Sequence, residues 1–212
     1  LRPIAQVIDM ASPTLHQVID EFKIELSNST KLLDKVEQSP GALHQPQVDL
    51  IFELAFLKIF IAWEQFLENS FIRYMCGASS LSGRNPRRIV SAKHLEDALR
   101  VVCGDRLYAD WTSVDVIINR ANSFFDNGEP YSTPLQSAAV ELTNMKKIRN
   151  HIVHHSKKSR DDFRKIFVNV YGFRPQGMSA GRFLRQRIGP HNERCVKQYT
   201  KTLELLAKMI VA

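Results

Sequence analysis

The chain has 212 residues, 44% of them hydrophobic, and carries 29 Lys and Arg against 22 Asp and Glu, a formal net charge of +7. That length buries one sizeable core and demands no second one, so residues 1–212 are read as a single domain. Its three cysteines, Cys76, Cys103 and Cys195, are odd in number and lack C-x-x-C spacing, which fits neither a disulfide framework nor a zinc site and points to a reducing, cytoplasmic setting.

Glycine and proline, nine of each, cluster near positions 39–46, 77–86, 128–134 and 172–190, and the stretches between them read as helices. Ser12-Pro13 opens the first, with Ser12 as N-cap and an apolar stripe of helical period through Leu15, Val18, Ile19, Phe22, Leu26, Leu33 and Val36. It stops near Ser39-Pro40-Gly41. After Pro46 a second helix carries Leu50, Phe52, Leu54, Phe56, Leu57, Phe60, Ile61, Trp63, Phe66, Leu67 and Phe71, apolar round most of its circumference, the pattern of a central helix. Its apolar run from Leu50 to Trp63 is interrupted by Glu53 and Lys58 and is short for a bilayer crossing. The N-terminal stretch shows no signal-type apolar region, so no membrane association is expected. Gly77 ends the second helix. Ser91 is read as the cap of a short helix through Leu95, Leu99 and Val102. Ser113 caps another through Val114, Ile117, Ile118, Ala121 and Phe125, closing at Asn127-Gly128. Pro134 begins a helix through Leu142, Met145, Ile148 and Ile152 into His154-His155, and Asp161-Asp162 opens one through Phe163, Ile166, Phe167 and Val170. Gly172 to Gly189 reads as a long loop bearing Arg174, Arg182, Arg185 and Arg187, and Pro190 starts a C-terminal helix through Leu203, Leu206, Met209 and Ile210. The expected class is all-α, with no internal repeat or low-complexity tract.

The charge is unevenly spread. Fifteen Lys and Arg lie between Leu142 and Lys201 and only Asp161, Asp162 and Glu193 oppose them, which leaves the remainder mildly acidic. Such polarity attracts nucleic acid or an acidic partner protein, although a solvated basic surface accounts for it equally well. The basic loop is available to RNA backbone, with Tyr171 and Phe173 for base stacking; the alternative is an exposed connection whose aromatics pack inward.

At 100° per residue Met145, Arg149 and Ile152 share a helix stripe, with Leu142 and Val153 beside them, so Arg149 falls among apolar neighbours. A buried guanidinium needs a partner. Glu64, surrounded on its face of the central helix by Leu57, Phe60, Leu67 and Phe71, is the expected one, unless each side chain extends to solvent at a groove edge. His154 lies about 140° around the helix from Arg149, on the side of Asn150 and Lys147. For the two to meet, the helix ends or distorts, the long Arg side chain swings round, or a second subunit completes the site; spacing leaves all three open. The run His151, His154, His155 also reads as a polar helix end, where cationic His complements the dipole. No Asp, Glu or Cys at ligand spacing accompanies these histidines, so no metal is expected.

The run Arg149-Asn150-His151-Ile152-Val153-His154 resembles the R-x(4–6)-H motif of the HEPN superfamily, in the form where a polar residue, here Asn150, follows the Arg. Its setting, behind Ala62-Trp63-Glu64-Gln65-Phe66-Leu67-Glu68 and ahead of Gly181-Arg182-Phe183-Leu184, is similar to the larger prokaryotic proteins of the RiboL-PSP-HEPN type over roughly residues 15–210. The resemblance implies a HEPN-like helical bundle with additional helices, commonly dimeric, that cleaves RNA without metal or other cofactor. It implies 2′,3′-cyclic phosphate and 5′-hydroxyl products, and a toxin or anti-phage role with a possible antitoxin protein as partner. His154 would be general base or acid. Arg149 would hold the scissile phosphate, Glu64 would orient Arg149, and Asn150 would bond the phosphate or fix the His. Lys147, His151, Arg182, Arg185 and Arg187 would contact flanking RNA. One domain supplies few acid–base groups, so a homodimer with a composite site is expected. The main alternative is a noncatalytic HEPN-like module that binds a protein or nucleotide. A DNA-binding regulator ranks last, because no helix-turn-helix spacing stands out.

Overall fold

A reciprocal cap opens the first helix. In the computed structural model, which describes residues 14–39, 41–173, 175–188 and 192–212, the Thr14 hydroxyl accepts the Gln17 N–H and the Gln17 side chain accepts that of Thr14. Helix Leu15–Gln38 (α1) follows. Ser12, Pro13, Arg174 and Pro190, to which sequence readings attached, lie outside the described residues.

The apolar run after Pro46 becomes the axis of the molecule, the 31-residue helix Gln45–Met75 (α2). Phe52, Phe56, Phe60, Trp63, Phe66 and Phe71 are sealed from solvent along it. Across α1, Phe22 meets Trp63 and Phe66 with ring centroids 5.9 and 5.2 Å away. Helix Leu95–Cys103 (α3) starts from His94 rather than Ser91. The stretch before it is tied back to α2, with Ala92 N–H bonded to Met75 O at 3.2 Å, and the acidic Glu96-Asp97 pair favours the positive end of the helix that follows. Helix Val114–Phe124 (α4) does begin from Ser113, and the chain reverses through Asn127 and Gly128, at φ 52° and 68°.

The single helix expected from Pro134 is two, Ser132–Ser137 (α5) and Ala139–His154 (α6), separated at Ala138. Ser137 Oγ turns back to Pro134 O at 2.7 Å and closes α5. Helix Lys157–Tyr171 (α7) begins a turn earlier than Asp161-Asp162, because Ser156 Oγ caps it by accepting the Ser159 N–H at 3.1 Å. The two aspartates instead pair within α7, with Arg164 at 3.4 Å and Lys165 at 2.8 Å.

The stretch expected to be a loop departs furthest. Ala180–Arg185 is a short helix (α8) with Phe183 and Leu184 fully buried. Strand Arg187–Ile188 (β1) pairs antiparallel with Glu193–Arg194 (β2), and helix Cys195–Val211 (α9) ends the fold, its Ile210 O accepting the Tyr74 hydroxyl at 2.8 Å. A six-residue helix is marginal alone. Burying Phe183 and Leu184 stabilises it by about 1.5–3 kcal/mol each. It also docks tightly on α2: Gly181 N–H reaches Glu53 Oε1 at 2.8 Å and Ser179 Oγ reaches Asp49 Oδ2 at 2.9 Å. No helix of the described residues is long and apolar enough to cross a membrane.

A Cβ on Gly181 would stand 2.0 Å from Asp49 O, backbone that a rotamer change cannot move. Gly181→Ala is therefore expected to destabilise the protein by about 1–3 kcal/mol. The urea midpoint should fall with its slope unchanged; an unmoved midpoint would show that α8 does not depend on this close approach.

Candidate functional site

α6 runs unbroken to His154, and His155 ends it in the left-handed region at φ 33° and ψ 19°. Arg160 Nη1 donates to the His155 carbonyl at 2.7 Å and holds the turn into α7. Although spacing sets Arg149 and His154 well apart around the helix, the Arg149 side chain wraps over it. Its Nη1 lies 3.5 Å from His154 Nε2, the outer limit of a hydrogen bond, and donates to Asn150 Oδ1 at 3.4 Å. Of the three routes that spacing leaves open, the swing of the guanidinium is the one seen within a single chain.

Glu64 stands behind it. Arg149 Nε and Glu64 Oε1 are 3.9 Å apart, with the side chains 24% and 22% exposed, an ion pair without a close hydrogen bond. Burial raises the Glu64 carboxyl above its ordinary pKa; the Arg149 charge opposes that rise, and Asp110 and Glu68 add to it.

Glu68, Asp110, Trp111 and Arg120 extend this polar seam and were not singled out from the sequence. Trp111 Nε1 donates to Glu68 Oε2 at 2.8 Å. Arg120 donates to Asp110 O at 2.9 Å and lies over the Trp111 ring, 4.4 Å from its centroid. Burial works to raise the Asp110 pKa, but bonds from the Thr112 hydroxyl and N–H, with Lys146 and Arg120 nearby, bring it below the ordinary value. One signal was legible: Glu68 follows Glu64 by one helical turn.

The other expected contacts divide. Asn150 joins Arg149, and Lys147 is half-buried on the same helix; the Lys165 hydrogen bond holds the Asp162 carboxyl below its ordinary pKa, with the charges of Lys158 and Lys147 adding to it. His151 is directed to α7, its ring stacked on Phe163 at 4.4 Å and 12°. Arg182 and Arg187 are exposed, the latter donating to Asn192 O. Arg185 is half-buried 3.4 Å from Asp49 and also bonds Gln45, so it serves the joint between α8 and α2. Tyr171 packs inward against Phe167 and Phe183, whereas Phe173 is 62% exposed. Among the described residues no three His, Cys, Asp or Glu side chains gather closely enough to hold a metal ion.

No family model matches the chain, and no curated protein and no solved structure matches it.

The ion pair gives a pH signature. Because the folded carboxyl of Glu64 is raised above 4.5, the stability it contributes is present below that value and lost as pH rises through the folded pKa. Removing Arg149 takes away the influence that lowers it. Arg149→Ala should then cost little near about pH 4 and about 1–2 kcal/mol near about pH 7, between the ranges for exposed and buried pairs. Denaturation curves at the two pH values measure this, and equal costs at both would refute the coupling.

Proposed function

We propose that this chain is a metal-independent endoribonuclease of HEPN type that leaves 2′,3′-cyclic phosphate and 5′-hydroxyl ends. The observation that carries the proposal is the approach of Arg149 Nη1 to 3.5 Å from His154 Nε2, on the exposed end of α6. In such a scission the ribose 2′-oxygen attacks the adjacent phosphorus as its proton leaves, and the departing 5′-oxygen takes up a proton. Imidazole is the side chain whose ordinary titration suits both transfers near neutral pH, and His154 is the imidazole beside Arg149. Arg149 would bind the non-bridging oxygens through planar, charge-assisted bonds, with Glu64 orienting its far edge. Asn150 Oδ1 accepts from the guanidinium, which leaves the amide NH₂ free to face phosphate. Lys147 would contact flanking phosphate.

Two proton transfers call for two groups, and the proposal includes a two-fold dimer that brings a second His154 to the site. Exposed apolar side chains on α2 and at the end of α6 support it. Leu50, Leu54 and Ile61 of α2 and Val153 of α6 are 54%, 55%, 47% and 46% exposed. Helical spacing places the three α2 residues within about 40° of one another. Exposed apolar side chains of this kind are what a self-complementary interface covers. The chain would then act as a toxin or anti-phage effector, with the basic 142–201 region open to RNA or to an acidic antitoxin.

Arg149→Ala and His154→Ala should each lower RNA cleavage by roughly 10²-fold or more while circular dichroism stays that of the parent. EDTA should leave the parent active. RNA left intact by the parent would overturn the nuclease and favour the noncatalytic binding module. A Leu54→Glu, Ile61→Glu variant is expected to sediment as a monomer and to lose cleavage with the dimer; a fully active monomer would remove the composite site.

A further inference from the structure

A second concave site lies on the other side of the α6 end, between α6, α7 and the stretch before α8. It is a cleft of about 600 Å³. Phe163, Phe167 and Met178 supply its apolar lining, and Arg160 and Arg164 stand exposed on it. No acidic residue lines it among those described. His151 is fixed there by its stack on Phe163, and its Nδ1 is buried with no hydrogen-bond partner among the described residues. A buried ring nitrogen left in that state is uncommon and calls for a partner. The charge around the ring is positive: burial lowers the His151 pKa first, and His155, Arg160 and Arg164 lower it further. Among the described residues neither guanidinium pairs with a buried carboxylate. Arg160 holds the His155 carbonyl, and Arg164 makes an exposed pair with Asp161 at 3.4 Å.

An aromatic and thioether lining, an unpaired ring nitrogen and two guanidiniums suit one ligand chemistry, a heteroaromatic base joined to a phosphate. The lining takes the base, Nδ1 meets its polar edge, and the arginines take the phosphate in the planar geometry they favour. His151 precedes His154 by three residues, so the cleft and the His154 imidazole share the last turn of α6, about 4.5 Å apart along its axis, and Arg149 stands on the turn before.

We infer that the His151–Phe163–Arg164 cleft binds the nucleotide adjoining the scissile phosphate and sets the base preference of cleavage. Its place beside a scissile bond rests on the nuclease proposal; its affinity for a nucleotide does not.

The test uses the full chain with 5′-AMP, 5′-UMP, adenosine, inorganic phosphate and poly-glutamate as probes, read by calorimetry and by the His151 ring signals in NMR. One of the mononucleotides should bind at least about tenfold more tightly than adenosine or phosphate and shift the His151 signals. Arg164→Gln, which removes only an exposed pair, should weaken that binding about tenfold and change which bases precede or follow the cut. Arg160→Gln should do the same, but it also loosens the α6–α7 turn, so Arg164→Gln is the decisive variant. If RNA is cut but neither mononucleotide binds and Arg164→Gln keeps the parent's base preference, the cleft proposal is overturned and the nuclease stands. If a mononucleotide binds through Arg164 while no RNA is cut, the nuclease falls and the nucleotide site remains. Poly-glutamate binding as tightly as the mononucleotide would assign the cleft to an acidic protein and overturn the inference.

Discussion

A carboxylate on the wall of a buried helix has to be met by a donor, because leaving it unpaired away from water costs several kcal/mol. α2 carries four such groups, Asp49, Glu53, Glu64 and Glu68, on a surface otherwise packed with aromatic and aliphatic side chains. Each is met from a different direction. Ser179 and Arg185 come to Asp49, Gly181 N–H to Glu53, Arg149 to Glu64 and the Trp111 indole to Glu68. The apolar core sets how closely the surrounding elements approach α2, and these four meetings set their rotation and height along it.

Arg149 shows what that constraint does for chemistry. Its Nε side is turned to Glu64, and the opposite edge of the guanidinium is thereby directed at Asn150 and His154. A group held from behind needs little rearrangement to meet an incoming phosphate, which is the basis of electrostatic preorganisation. The helix end contributes as well. The left-handed turn at His155, secured by Arg160, swings the chain into α7 and leaves His154 on an exposed rim rather than inside the bundle.

The basic character of residues 142–201 is less free than its charge count implies. Arg185 pairs with Asp49, Arg194 with Glu37 and Lys197 with Asp34, so part of the positive C-terminal half is matched by acids of α1 and α2 inside the same molecule. Those cations join elements together. Of those left facing outward, Arg182 and Arg187 lie on α8 and β1, whereas Arg160 and Arg164 of α7 stand beside the aromatic lining of the cleft. Charge asymmetry along the chain thus reflects both a folding complementarity and a surface that attracts anions, and the two are carried by different residues.

The main helices were legible from the sequence alone, because a 3.6-residue apolar period and local capping chemistry are properties of the chain itself. So was the need of Arg149 for a carboxylate, since a guanidinium among Leu142, Met145 and Ile152 conflicts with its neighbours, and Glu64 stands in the same predicament on α2. Only the tertiary structure decided the rest. α8 is too short to declare a period, and Gly181, which looks like a loop residue, is there for contact with the Asp49 backbone. Arg185 reads as one more loop cation until Asp49 is beside it. Helical spacing assigns the direction of each Cβ, so it placed Arg149 and His154 on different sides. Where the end of a long side chain comes to rest depends on the charges and walls around it, and those come from residues distant in the chain.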